Sequence, residues 1–166
     1  QTMLNASVLD QYPGVDTDAV QALLEEKCRQ DRHKIIVLDD DPTGVQTVHD
    51  VSVYTDWSYD SIKKGFEEDG KLFYILTNSR GFTVEQTTRA HLEIGETAAK
   101  VSEETGIDYV IVSRGDSTLR GHYPLETELL ARAEEKHRGR AVDGEIICPY
   151  FKEGGRFTIG NVHYVK

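Results

Sequence analysis

The sequence is poor in cysteine: Cys28 and Cys148 are its only two. Two isolated thiols make neither a disulfide framework nor a zinc cluster, so they read as reduced side chains of a cytoplasmic protein. No stretch approaches the ~20 apolar residues of a membrane span. The N-terminal Gln1-Thr2-Met3-Leu4 lacks the basic and apolar regions of a signal peptide, and no methionine stands at position 1. The chain is therefore expected to be trimmed or cut from something longer. Positive charge is scarce as well: 19 Lys and Arg face 29 Asp and Glu, a formal net charge of -10. An acidic chain repels polyphosphate, which argues against nucleic-acid or anionic-membrane binding. Nucleotide signatures are missing too, with no G-x-x-x-x-G-K-[ST] and no G-x-G-x-x-G. His49, His122 and His163 lack the spacing of zinc ligands, and no metal site is expected.

What is present is a regular alternation of elements. Residues 1–33 read as a leader with one helix, capped by Asp16 or Thr17, whose face is Val20, Leu23, Leu24 and Cys28. From 34 to 166 the pattern is that of one domain, expected to be incomplete at its C-terminal end. Ile35-Ile36-Val37-Leu38, Val51-Ser52-Val53-Tyr54, Leu72 to Leu76, Tyr109 to Val112 and Ile146-Ile147-Cys148 are short runs of buried-strand type. Helices fall between them. One covers 58–68 with Tyr59, Ile62 and Phe66 on its face. A second opens at a Thr83–Gln86 capping box and ends at Gly106, with Val84, Thr87, His91, Ile94, Ala98 and Val101 inward. A third starts at Pro124 and runs to about His137. Strands alternating with helices predict an α/β fold of three layers, with a mainly parallel sheet and helices on both faces. Phe157 to Val165 suits a hairpin or edge strand.

The unusual residues sit where strands end. The first strand runs into Asp39-Asp40-Asp41-Pro42-Thr43-Gly44 and the third into Thr77-Asn78-Ser79-Arg80-Gly81. The fourth runs into Ser113-Arg114-Gly115-Asp116-Ser117-Thr118-Leu119-Arg120-Gly121, and the fifth into Pro149 through Arg156. A parallel sheet brings these loops to one edge, where open α/β sheets bind ligands. Arginine forks at Arg80, Arg114, Arg120 and Arg156 match carboxylate or phosphate. Carboxylates of Asp39, Asp40, Asp41 and Asp116 accept hydrogen bonds from hydroxyls. A ligand with one anionic end and several hydroxyls, such as a short aldonic acid, fits such a set. The same aspartates and arginines would also serve as a capped turn and as structural ion pairs.

Asp40-Asp41-Pro42-Thr43-Gly44 resembles the D-D-x-T-G motif of the four-carbon acid sugar kinases. Asn78-Ser79-Arg80 is similar to that family's second loop. Asp116-Ser117-Thr118-Leu119-Arg120-Gly121 resembles its D-S-T-L-R-G loop, the most specific of the set. Pro149 through Arg156, with Thr158, Gly160 and Val162-His163-Tyr164, resembles its next segment. The similarity runs from Ile35 to Val165 in order. Asp39 stands where many members have a small residue, and Ser113-Arg114-Gly115 replaces a commonly lysine-containing stretch.

The resemblance implies a sugar-acid-binding N-terminal domain of an ATP-dependent kinase. ATP and Mg²⁺ would be held by a C-terminal nucleotide-binding domain in cis, and this fragment alone is expected to be inactive. The substrate would be a threonate- or erythronate-like acid. It would be bound by Asp40, Asp41, Thr43, Asn78, Ser79, Arg80, Asp116, Ser117, Arg120, Gly155 and Arg156. Asp41 and Asp40 are the candidates for the catalytic role, one of them orienting the attacking hydroxyl and taking its proton. Two alternatives stay open. Asp39-Asp40-Asp41-Pro42-Thr43 also fits the D-x-D-x-T pattern of a haloacid-dehalogenase-type phosphatase, with Asp39 as nucleophile and Asp41 as acid/base. A stand-alone, non-catalytic sugar-acid-binding module would use the same loops.

Overall fold

The computed structural model describes residues 4–116, 118 and 120–166, without the side chains of Ala6, Leu9 and Thr47. It comprises two units, 1–32 and 33–166. In the first, a 3-10 turn at Ala6–Gln11 precedes α1 (Thr17–Gln30), where the Asp16 carboxylate accepts the Ala19 amide at 3.0 Å. None of the residues of α1 is buried; Val20, Leu23 and Leu24 are each more than half exposed.

The second unit carries β1 (Lys34–Asp39), β2 (Val53–Tyr54), α2 (Tyr59–Glu67), β3 (Leu72–Leu76), α3 (Val84–Thr105), β4 (Tyr109–Arg114) and α4 (Leu125–Arg138). The four strands form a parallel sheet in the order β2-β3-β1-β4, with helices packed around it. The α/β class with a parallel sheet, expected from the sequence, is what the structure shows. An antiparallel hairpin, β5 (Arg156–Ile159) and β6 (Val162–Val165), follows.

Strand alternation sets the core. Ile36 and Leu38 of β1, Phe73 and Ile75 of β3 and Tyr109 of β4 meet Ile62 and Phe66 of α2, Ile94, Ala98 and Val101 of α3, and Leu130 of α4. Each fully buried Ile or Phe contributes about 1.5–3 kcal/mol. The alternate residues of β4, Val110 and Val112, stand about half exposed. Helix α3 packs on both α2 and α4. Gly95 lets α4 come close, since a Cβ there would lie 2.5 Å from that of Ala133.

Local signals set the helix ends. The Thr83–Gln86 capping box forms in full, and Gly106 closes α3 in the left-handed region at φ 68°. Pro124 precedes α4, and Gly139 ends it at φ 63°. Two expectations need correction. Val84 is 56% exposed, because the inner face of α3 runs instead through Thr87, Ala90, His91 and Ile94. Ile146-Ile147-Cys148 is not a strand: among the described residues no partner pairs with it, and Ile146 and Ile147 are 93% and 60% exposed. A three-residue β-branched run has the propensity, but a strand exists only when a neighbour supplies its hydrogen bonds.

Candidate functional site

The strand ends are bolted together by backbone bonds before any side chain is considered. The Thr77 amide donates to the Asp39 carbonyl at 2.9 Å, the Asp40 amide to the Arg114 carbonyl at 3.2 Å, and the Arg80 amide to the Asp40 carbonyl at 3.2 Å. The loops after β1, β3 and β4 therefore share one edge. Asn78 opens the β3 loop with φ 54°, a left-handed conformation that asparagine tolerates.

Asp40 is where these loops meet. Its carboxylate is 3% exposed and takes a two-point fork from Arg80, Nε to Oδ2 at 3.1 Å and Nη2 to Oδ1 at 2.8 Å. Arg114 Nη1 lies 3.9 Å from Oδ1. From the β4 loop, Gly121 comes so close that a Cβ there would stand 3.3 Å from Asp40 Oδ2. The third donor of Arg80, Nη1, reaches Asp41 Oδ2 at 3.1 Å.

Asp41 is more open, with 26% of its side chain exposed. The Thr43 hydroxyl and amide both donate to its Oδ1. Those two bonds, with Arg80 and Arg114 nearby, hold its carboxyl below the usual carboxylate range. Asp116 is held well below that range, first by the Arg120 fork and then by the Thr118 hydroxyl. That fork runs Nε to Oδ2 at 2.7 Å and Nη2 to Oδ1 at 3.1 Å, while 68% of the Arg120 side chain remains exposed. Ser117, like Leu119 of the same motif, lies outside the described residues.

Asp39 behaves differently. It has no exposed surface, and burial raises its carboxyl against the opposing pull of Arg114, whose Nη1 meets Oδ1 at 3.2 Å. Oδ2 is buried without a hydrogen-bond partner among the described residues, and the Gly44 backbone packs over the carboxylate, with a Cβ position only 2.0 Å away. A nucleophile must reach its substrate, so this geometry tells against the phosphatase alternative built on Asp39.

Beneath the loops lies a buried polar chain. Thr77 Oγ1 donates to Ser79 Oγ at 3.0 Å, and Ser79 Oγ to Glu126 Oε1 at 3.1 Å. His91 Nε2 stands 3.7 Å from the same oxygen. Thr77 belongs to the predicted strand-end loop, whereas nothing in the sequence singles out Glu126. Glu126 follows Pro124 in the first turn of α4, where an acid reads as an ordinary complement to the helix dipole. Arg114, one of the strand-end arginines, is the last residue of β4.

Gly155 and Arg156 are not brought to this edge by a strand. The hydrogen bonds of their segment run within residues 151–166, including Lys166 to the Gly155 carbonyl and Arg156 Nη1 to the Gly154 carbonyl. Among the described residues, no three His, Cys, Asp or Glu side chains converge to hold a metal. No helix of the described residues is long and apolar enough to cross a membrane.

A model of a family described as a sugar-binding N-terminal domain matches residues 35–166. The chain belongs to this family, the sugar-binding domain of the four-carbon acid sugar kinases. No curated protein and no solved structure matches the chain significantly. Membership implies a sugar ligand for this domain, and ATP with Mg²⁺ in the full kinase.

Proposed function

We propose that residues 34–166 bind a threonate- or erythronate-like acid at the β1, β3 and β4 strand ends, as the substrate domain of an ATP-dependent kinase. The nucleotide would come from a domain in cis, and this chain alone would not turn over. The observation that carries the reading is Asp40. A carboxylate this buried, forked to Arg80 and crowded by Gly121, is a scaffold that fixes three loops rather than a group that meets substrate.

The roles divide accordingly. Arg120 is exposed and keeps Nη1 for the ligand carboxylate, with Asp116 aligning its fork. Asp41 stays ionised and partly open, so it accepts a hydrogen bond from a substrate hydroxyl and takes its proton during transfer. Thr43, Asn78, Ser79 and Ser117 complete the polar wall, and Gly155 and Arg156 are proposed to join it from the hairpin segment. Two free thiols, Cys28 and Cys148, suit a reducing cytoplasmic setting.

Calorimetric titration of the chain with threonate and erythronate tests this. Saturable binding of either acid, with one binding component weakened at least tenfold in Arg120→Ala at an unchanged unfolding midpoint, supports the reading. Binding by neither acid, or an isotherm unchanged in the variant, overturns it. Phosphorylation of the bound acid on adding a separately expressed nucleotide-binding domain would favour the kinase over a stand-alone binder.

A further inference from the structure

The β3 loop has two sides. Arg80 turns toward the β1 loop, whereas Phe82 faces the β2 side, where it shares a cleft of about 350 Å³ with Trp57, Gln86, Arg89, Ala90 and Glu93. The four α3 residues recur at helical spacing, so they present one stripe to the cleft. Trp57 closes the opposite wall and is fixed there by its indole N–H, which donates to Glu93 Oε2 at 3.0 Å.

The free hydrogen-bonding groups are sorted. Arg89 is exposed and makes no hydrogen bond or ion pair among the described residues. By contrast, Arg80 spends three nitrogens on Asp40 and Asp41, and Arg120 two on Asp116. Gln86 uses its Oε1 to accept the Thr83 amide at 2.8 Å, which leaves the carboxamide NH₂ free. Glu93 keeps Oε1 as a free acceptor. The cleft thus offers an unspent guanidinium fork, one amide donor, one carboxylate acceptor and two aromatic faces. A concave site with a few convergent polar groups beside aromatic rings is the usual form of a small-ligand site.

We propose that this cleft is a second acid-sugar site. The ligand carboxylate lies on the Arg89 fork, its hydroxyls on the Gln86 amide and Glu93 Oε1, and its carbon chain against the Trp57 ring. The site is separate from the one around Asp40. Among the described residues, no hydrogen bond or ion pair joins the lining of the cleft to Asp40, Asp41, Arg80, Asp116 or Arg120.

Trp57 is the only tryptophan, so its emission reports on this cleft directly. The experiment is a fluorescence titration of the 166-residue chain with threonate and with erythronate. The expected result is a saturable change in Trp57 emission, weakened at least tenfold in Arg89→Ala and retained in Arg120→Ala. Retention in the latter separates this site from the one under Proposed function, which Arg120→Ala removes. Far-UV circular dichroism checks that Arg89→Ala folds, and Arg89→Lys, which keeps the charge without the fork, is the second variant and should also bind more weakly. No saturable change, or an undiminished one in the folded Arg89 variants, overturns the proposal. An equal response to acetate, inorganic phosphate or AMP overturns the acid-sugar assignment.

Discussion

His91 on α3 and Glu126 on α4 face each other beneath the β3 loop, Nε2 to Oε1 at 3.7 Å, with 1% and 6% of their side chains exposed. The Thr87 carbonyl accepts from Nδ1 at 2.9 Å, which places a proton on that nitrogen. Glu126 Oε1 also accepts the Ser79 hydroxyl, and Ser79 immediately precedes Arg80. The floor of the site is thus tied to the interface of two helices.

That arrangement predicts a pH dependence. Burial lowers the His91 pKa, with the Thr87 carbonyl and Glu126 opposing the shift and His122 adding to it. The native state therefore binds this proton less readily than the unfolded chain, whose histidines titrate near about 6.5. Stability is full above that value and is lost as the pH falls toward the folded pKa. Urea midpoints should drop between pH 7.5 and 5, and His91→Gln should flatten the drop. An equal slope in the variant would mean that other groups carry it.

Asp39 and Asp116 should respond to pH in opposite senses. Asp116 has a depressed folded pKa, so its contribution exists above the unfolded carboxylate value, about 3.9, and disappears as the pH falls through the folded one. Asp116→Asn should be less stable than the parent at pH 7, with the gap closing in acid. Asp39 has a raised folded pKa, so its contribution is full below the unfolded value and lost as the pH rises through the folded one. Asp39→Asn, which imitates the protonated acid, should gain on the parent as the pH rises from 4 to 7. Two stability differences with the same pH slope would refute the contrast.

Asp40 and Arg80 should behave as one unit. Removing either partner strands a charge at a site where Asp40 is 3% exposed, a loss of about 3 kcal/mol for a largely buried pair. Arg80→Ala and Asp40→Ala should each cost roughly that, and the double variant clearly less than the sum. Simple additivity in denaturant unfolding would show that the fork does not organise the loops.

Much of the fold could be read locally, because its signals are local. Leu72 to Leu76 is a strand with the bounds its apolar run suggests, and Thr83, Gln86 and Gly106 mark the ends of α3. What could not be read depends on distant partners. The sequence puts Asp40, Asp41, Arg80 and Arg114 on one edge but does not say that Arg80 takes the first two while Arg114 takes Asp39. Glu126 is buried where Ser79 and His91 arrive from elsewhere in the chain. Ile146-Ile147-Cys148 has strand composition and no strand, for want of a neighbour.

Glycine gives the last test. Gly44 crosses the Asp39 carboxylate so closely that a Cβ would stand 2.0 Å from Oδ2 and 2.3 Å from Oδ1. Asp39 has no exposed surface and is tethered to Arg114, so it has no room to yield. Gly81, in the β3 loop of the same site, has nothing within 4 Å of its Cβ position. Its backbone is not left-handed either, so a side chain adds no strain there. Gly44→Ala should therefore cost about 2 kcal/mol or more, the scale of overpacking in a closed site. Gly81→Ala should stay within about 0.5 kcal/mol of the parent. Denaturant unfolding of both variants decides it: equal losses would mean that the β1 loop, with Asp41 and Thr43, is not pinned against Asp39.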